Sequence, residues 1–380
     1  MARTAKTVTG PCRLGWSTAG IGHQRHGEDS MIGGKSDRLL VLGILMAGAG
    51  LGDPAQLSAD DDAAGKDTAV ITLGTAGGPR PRADRSQSAN LLTVNGAFYL
   101  VDAGENTVRR LTQAGVNFNG VHHLFITHAH SDHTMGLPAL VATQWEFQQR
   151  TALQIFGPPG TSNLVEGMMA FLGANEKIRF AEGNPSPLSR IVDEHDVQPG
   201  PIFQDANVAV TAVENTHFHF PENSPAHGRF KAYSYRIDTA HGSVVFTGDT
   251  GPSDALVELA KGADMLVTEV SDANQLIALY KKNGQWQRKT AEEQKNWLRH
   301  QIDEHLSPGE VGTLAARAGV KMVILTHLTP VEDEMRSYHS IACEVKSHFD
   351  GKVVVASDLG HYRLDGTADS FADGSGCAGG

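Results

Sequence analysis

The sequence has few of the features that mark disulfide-rich, membrane or nucleic-acid-binding proteins. Its 380 residues include three cysteines and no CxxC pair, so the spacing indicates no disulfide framework, and Cys343 is interpreted as a buried thiol in a helix. The apolar runs are shorter than the roughly 20 residues that cross a membrane. The net charge of −11 disfavours a broad nucleic-acid surface, which needs clustered lysine and arginine. A small anionic substrate held by a metal remains compatible with this charge.

Two common catalytic motifs are also missing. There is no GxSxG sequence, so a serine nucleophile has no support. The glycine-rich stretch Leu73–Gly78 lacks the following Gly-Lys-Ser/Thr of a phosphate loop and is interpreted as a turn. The composition, with 40% hydrophobic and 20% charged residues, is that of a globular protein with a sizeable core.

The N-terminal region carries a pattern typical of a secretory signal. Lys35 and Arg38 precede the apolar stretch 39–46, and Ala47-Gly48-Ala49 follows, with Met31 as a suitable start. We therefore predict a periplasmic or secreted protein, with a cytoplasmic one as the alternative. The predicted organisation is a leader, signal and linker over residues 1–68, a folded domain over 69–365 and a disordered tail over 366–380.

Hairpin signals come first in the domain, and strands alternate with helices later. Asn95-Gly96 separates two short apolar segments, which is the strongest short-range hairpin signal. Capping boxes begin helices at Thr290 and Ser307, each with a glutamate three residues later. This order predicts an α/β fold in which helices cover sheets.

Chemically active side chains follow four predicted strands. His128, Asp249, Glu269 and His327 each come at the end of an apolar segment. The carboxyl ends of strands in open α/β sheets form the edge where ligands bind. We therefore expect these four residues to converge.

The stretch Thr127-His-Ala-His-Ser-Asp-His133 concentrates metal-binding groups at one of these strand ends. Imidazole and carboxylate are ligands that suit zinc. Alternation along the chain lets the two histidines at 128 and 130 serve one ion, and Asp132 with His133 serve a second. The candidates for further ligands are His217, Asp249 and His327.

This motif, together with Thr247-Gly-Asp-Thr250 and Leu325-Thr-His-Leu328, resembles the metallo-β-lactamase-fold hydrolase superfamily over about residues 69–365. The resemblance implies a four-layer αββα sandwich with two zinc ions, or Mn²⁺ or Fe²⁺ in their place. It implies that the first ion is held by His128, His130, His217 and Asp249, and the second by Asp132, His133, Asp249 and His327. His219 is the alternative to His217. Asp102 matches an aspartate that orients the ligand loop, although a strand-end turn would explain it equally well.

Within the superfamily, the sequence is most similar to the tRNase Z and arylsulfatase-like branch. There, residues matching Glu269 and His305 form a proton-donating pair, and Asp132 belongs to the catalytic site. The basic arm of tRNase-type enzymes is not visible between Phe156 and His217, so we expect a small-molecule ester rather than nucleic acid.

The predicted reaction is hydrolysis of a phosphodiester, sulfate ester or carboxylic ester by a hydroxide held between the metals. Two alternatives remain open. One is a lactonase or β-lactamase-like amide hydrolase, and the other is a non-catalytic zinc-binding protein. The oligomeric state is open too, with a homodimer as one option.

Overall fold

Two seven-stranded sheets form the centre of the fold. The computed structural model describes residues 68–184, 186–329, 335–367 and Cys377. The first sheet has the order β14-β1-β2-β3-β4-β5-β6, with strands β1 (Ala69–Gly74), β2 (Ala89–Val94), β3 (Ala97–Val101), β4 (Val121–Phe125), β5 (Leu153–Gly157), β6 (Val192–Asp196) and β14 (Gly360–Arg363). The second has the order β13-β12-β11-β10-β9-β8-β7, with strands β7 (Gly200–Gln204), β8 (Val208–Glu214), β9 (Tyr233–Thr239), β10 (Gly242–Phe246), β11 (Met265–Ser271), β12 (Met322–Thr329) and β13 (Lys352–Val355).

Helices cover the outer face of each sheet. The helices of the described residues are α1 (Thr107–Gln113), α2 (Ser131–Thr134), α3 (Leu137–Glu146), α4 (Thr161–Ala181), α5 (Asp254–Leu259), α6 (Ala273–Lys282), α7 (Ala291–Asp303), α8 (Pro308–Ala318) and α9 (Met335–Lys346), with 3₁₀ turns at Phe118–Gly120 and Leu188–Arg190. None of the helices in the described part of the chain is long and apolar enough to cross a membrane.

Three apolar layers separate these elements. The central layer lies between the sheets and includes Tyr99, Phe125, Tyr235 and Phe246, all buried. One outer layer packs α1, α3 and α4 on the first sheet, and the other packs α5, α8 and α9 on the second. The predicted αββα sandwich is therefore confirmed. Tyr235 also ties the sheets together, because its hydroxyl donates to the Ile126 carbonyl at 2.5 Å.

Local sequence signals account for several elements. Asn95 and Gly96 both have positive φ, 51° and 78°, as a type I′ hairpin turn requires. Both predicted capping boxes form, at Thr290 and at Ser307. Strand β6 was not predicted because it is the partly exposed edge of its sheet and its sequence, Val-Asp-Glu-His-Asp, lacks apolar alternation.

The termini differ in part from expectation. The predicted signal at residues 35–49 lies outside the described residues, as does most of the tail. Cys343 on α9 is not a free thiol but forms a disulfide with Cys377, 34 residues further on. Sequence spacing could not indicate this bond because a single pair of distant cysteines has no diagnostic pattern.

Candidate metal centre

The expected convergence at strand ends is found at one edge of the sandwich. Strands β10, β11 and β12 run parallel, which brings Asp249, Glu269 and His327 to the same side. Strand β4 of the other sheet delivers the loop 127–133 to this edge. The seven predicted ligands therefore come from both sheets, four from the first and three from the second.

Three histidines form the first ligand group. Nε2 of His128 lies 3.1 Å from Nδ1 of His130, and Nε2 of His217 lies 3.2 Å from the same atom. His219, the alternative considered for the third position, is exposed and not part of the group. The structure thus brings His217, and not His219, next to His128 and His130.

Two carboxylates and two histidines form the second group. Nε2 of His327 lies 3.2 Å from an oxygen of Asp132 and 3.4 Å from one of Asp249. Nε2 of His133 lies 3.4 Å from the other oxygen of Asp249. The Asp249 carboxylate is also 3.9 Å from Nε2 of His128, so it stands between the two groups, as a bridging ligand would.

Hydrogen bonds from behind orient the imidazoles. Nδ1 of His133 lies 2.8 Å from Oδ2 of Asp102, and Oδ1 of the same carboxylate accepts from the backbone N–H of Thr127. Nδ1 of His217 donates to the backbone carbonyl of Glu304 at 3.0 Å. These contacts leave both Nε2 atoms facing the centre, which is how ligating histidines are usually held.

The loop after β1 packs closely against the side chain of Asp132. A Cβ on Gly78 would lie 1.9 Å from Oδ2 of Asp132, so only glycine allows the loop after β1 to approach the carboxylate. This loop, interpreted from sequence as a simple turn, therefore shapes the site.

The donor set fits divalent metal ions. Six of the seven candidates are buried, and His130 is open to the cavity. Nε2 of His133 and Oδ1 of Asp249 are buried without a hydrogen-bond partner among the described residues, a costly state that a cation would relieve. Burial lowers the pKa values of His128 and His217, which favours the neutral imidazoles that metals bind. Five imidazole and two carboxylate donors are compatible with zinc.

The predicted proton-donating pair lies beside the ligands. Nδ1 of His305 is 2.6 Å from Oε2 of Glu269, whose other oxygen accepts from the backbone N–H of Thr250. Burial lowers the pKa of His305, but the adjacent Glu269 carboxylate outweighs it and raises the value to about 9. His305 also lies near His217 and Asp249, with ligand atoms of the three residues within 4.8 Å of one another.

A cavity of about 410 Å³ opens onto these groups. Its apolar wall comes from α6 and α7, with Leu276, Tyr280 and Trp297. Trp286 lies behind, edge-on to Trp297 at 5.6 Å between ring centroids. Two further lining residues, Arg80 and His300, were not predicted from sequence because neither belongs to a motif.

The family model of the beta-lactamase superfamily domain matches residues 98–328. The chain belongs to the metallo-β-lactamase superfamily. Among its curated relatives is a ribonuclease Z from Mycobacterium sp. (strain KMS), which is 34% identical over 263 residues, or 69% of this chain and 84% of that protein. The predicted family is thus confirmed, and the chain is a metallo-β-lactamase-fold hydrolase.

Solved structures of the superfamily show the same fold. The metallo-beta-lactamase fold protein YhfI from Bacillus subtilis aligns with a TM-score of 0.57 and 20% identity, and the alignment covers 78% of this chain and all of that one. The short form of human tRNase Z aligns with a TM-score of 0.55 and 20% identity over 78% of this chain and 99% of its own. Both similarities concern the fold.

The ribonuclease Z relatives overturn one prediction, that nucleic acid is not a partner. That prediction was wrong because the net charge of −11 averages over the entire surface. A scissile phosphate meets only the local groups of the site, where metal ions supply the positive charge.

Proposed function

We propose that this hydrolase uses two zinc ions to cleave phosphodiester bonds in RNA. The observation that supports it best is the shared carboxylate of Asp249, which links two groups of ligands beside the His305–Glu269 pair. The relatives named ribonuclease Z favour RNA as the substrate class. Zinc is favoured because the donors are imidazole and carboxylate.

Each part of the site has a role in this proposal. The seven residues would hold the ions, which would lower the pKa of water to about 7 and neutralise charge on the phosphate. Water releases a proton to solvent as it adds to phosphorus, and the bond from phosphorus to the leaving oxygen breaks. His305, oriented by Glu269, gives its proton to that oxygen, so that an alcohol leaves.

Arg80 provides positive charge at the rim of the cavity. Its side chain is exposed, and it has no carboxylate partner in the part of the chain that the structure describes. A guanidinium suits phosphate oxygens because its N–H groups donate in a planar fork. We propose that Arg80 contacts a phosphate of the bound strand.

The test begins with metal removal and zinc reconstitution of the full chain. The substrates are a single-stranded RNA, bis-p-nitrophenyl phosphate, an aryl sulfate, a lactone and a β-lactam. We expect zinc-dependent cleavage of the first two, and its loss in Asp249→Asn but not in the matched control Asp193→Asn, an exposed aspartate on β6. Turnover of the sulfate, lactone or β-lactam without either phosphodiester would contradict the proposal.

We also propose that the chain is exported. Support comes from the signal-like residues 35–49 and from the disulfide between Cys343 and Cys377, since disulfides persist in oxidising compartments. Mass spectrometry of the protein from fractionated cells tests this. A shortened N-terminus in the exported fraction is expected, and an intact, reduced cytoplasmic chain would contradict it.

A further inference from the structure

A second carboxylate–histidine pair lies on the cavity wall, at the end of α7. Nδ1 of His300 is 2.6 Å from Oε2 of Glu304, and Glu304 is only 2% exposed. The Arg299 guanidinium donates to the other oxygen of the same carboxylate and to the backbone carbonyl of His219. Glu304 therefore holds the His300 ring in place, and Arg299 holds Glu304.

The His300 ring lies on the cavity wall beside His305. The residue lines the cavity with His305, and the two rings meet edge-on with centroids 4.9 Å apart. Within residues 68–184, 186–329 and 335–367, Nε2 of His300 has no hydrogen-bond partner. It is therefore the ring atom that is left to contact a bound molecule.

The contacts of Glu304 determine what this atom can do. A carboxylate accepts hydrogen bonds, so Nδ1 of His300 carries the hydrogen, and in the neutral ring Nε2 is then an acceptor. The structure thus holds a fixed acceptor next to the proton donor.

We propose that His300 accepts a hydrogen bond from a substrate hydroxyl that is adjacent to the leaving oxygen. This inference rests on the proposed function, and for RNA it names the 2′-hydroxyl of the ribose whose 3′-oxygen leaves. Those two oxygens are on neighbouring ring carbons, and the two histidines are neighbours on the cavity wall. His305 serves the leaving oxygen, and His300 serves the hydroxyl beside it.

The consequence is selectivity for ribose. A site built to bind a hydroxyl rejects an analogue without it, because a buried polar group of the site is then unpaired. His300 is partly exposed, so we expect a discrimination of roughly tenfold to a hundredfold in kcat/KM, smaller than in a closed site. DNA should bind through its phosphates yet react slowly.

The experiment compares two oligonucleotides that differ by a single 2′-hydroxyl at the leaving nucleotide. They are tested on the zinc-loaded wild type, His300→Ala, His300→Gln and the control His241→Ala, a surface histidine in the β9–β10 turn at the far end of the sheet. We expect His300→Ala to remove the ribose preference by slowing only the ribose substrate. Glutamine, whose amide oxygen can accept, should restore part of it.

A binding measurement gives a readout independent of turnover. Calorimetric titration of ribonucleoside and 2′-deoxyribonucleoside 3′-monophosphates should show tighter binding of the ribose form by the wild type and equal binding by His300→Ala. Equal losses on both substrates would mean that His300 contacts phosphate, and no loss on either substrate would mean that it contacts nothing; either result overturns the inference. If the wild type cleaves RNA but without ribose preference, only this inference fails, whereas absence of any phosphodiesterase activity removes the proposed function.

Discussion

Replacing His305 by alanine separates proton donation from metal binding. Nδ1 of His305 is engaged by Glu269 at 2.6 Å, so Nε2 is available to the leaving oxygen. General acid catalysis contributes roughly 10²–10⁴ in rate, which corresponds to about 3–5 kcal/mol in the activation free energy. This full loss is expected only where the leaving group is a poor one, such as the sugar hydroxyl of RNA. p-Nitrophenolate departs without a proton, and its release should slow much less.

The assay is kcat for a series of phosphodiesters with increasing leaving-group pKa, together with zinc content by mass spectrometry. The slope of log kcat against leaving-group pKa should become steeper in His305→Ala, while two zinc ions per chain are retained. His305→Gln keeps most of the side-chain volume and should behave alike. Loss of an ion would show that His305 is a ligand with His217 and Asp249, and an equal loss across the series would show that it donates no proton. Either result refutes the reasoning.

Three further predictions concern residues around the ligands. Asp102→Asn should lower zinc affinity roughly tenfold to a hundredfold because it weakens the 2.8 Å contact that orients His133. Competition with a chelator measures the affinity. An unchanged affinity would limit Asp102 to a role in the turn. Gly78→Ala should displace Asp132, since its Cβ would lie 1.9 Å from the carboxylate, and zinc content should fall. The unfolding temperature should then fall in the presence of zinc and change little between the metal-free proteins. Full zinc occupancy would show that the loop moves instead. Arg80→Ala should weaken the binding of RNA whatever its sequence, and it should reduce the slope of log Kd against log salt concentration by about one. An unchanged slope would show that Arg80 does not contact phosphate.

The parts of the fold that could be predicted are those with a local cause. The hairpin at Asn95-Gly96 needs positive φ, and the capping boxes at Thr290 and Ser307 need only residues three apart. Strand β6 and helix α6 escaped prediction. The edge strand is polar. The helix was missed although its apolar residues Leu276, Leu279 and Tyr280 have helical spacing.

The same distinction applies to the site. The ligands around 127–133 are marked by a dense motif, and the structure brings their distant partners to them. The pair of His300 and Glu304 shows only a spacing of four residues at a helix end, which is common among solvated side chains. Arg80 lies in a loop of glycine and proline. Their importance depends on the cavity that they line, and a cavity has no signature in a linear pattern.

The division of the ligands between the two sheets affects how the protein unfolds. An ion held by residues from both halves acts as a cross-link across the sandwich, and it stabilises the folded state by about 4 kcal/mol when zinc exceeds its dissociation constant a thousandfold. A chelator should therefore do more than stop the reaction: it should let the two halves separate first at this edge, exposing residues 127–134 to proteases. The supply of zinc would then govern how long each molecule survives as well as whether it works.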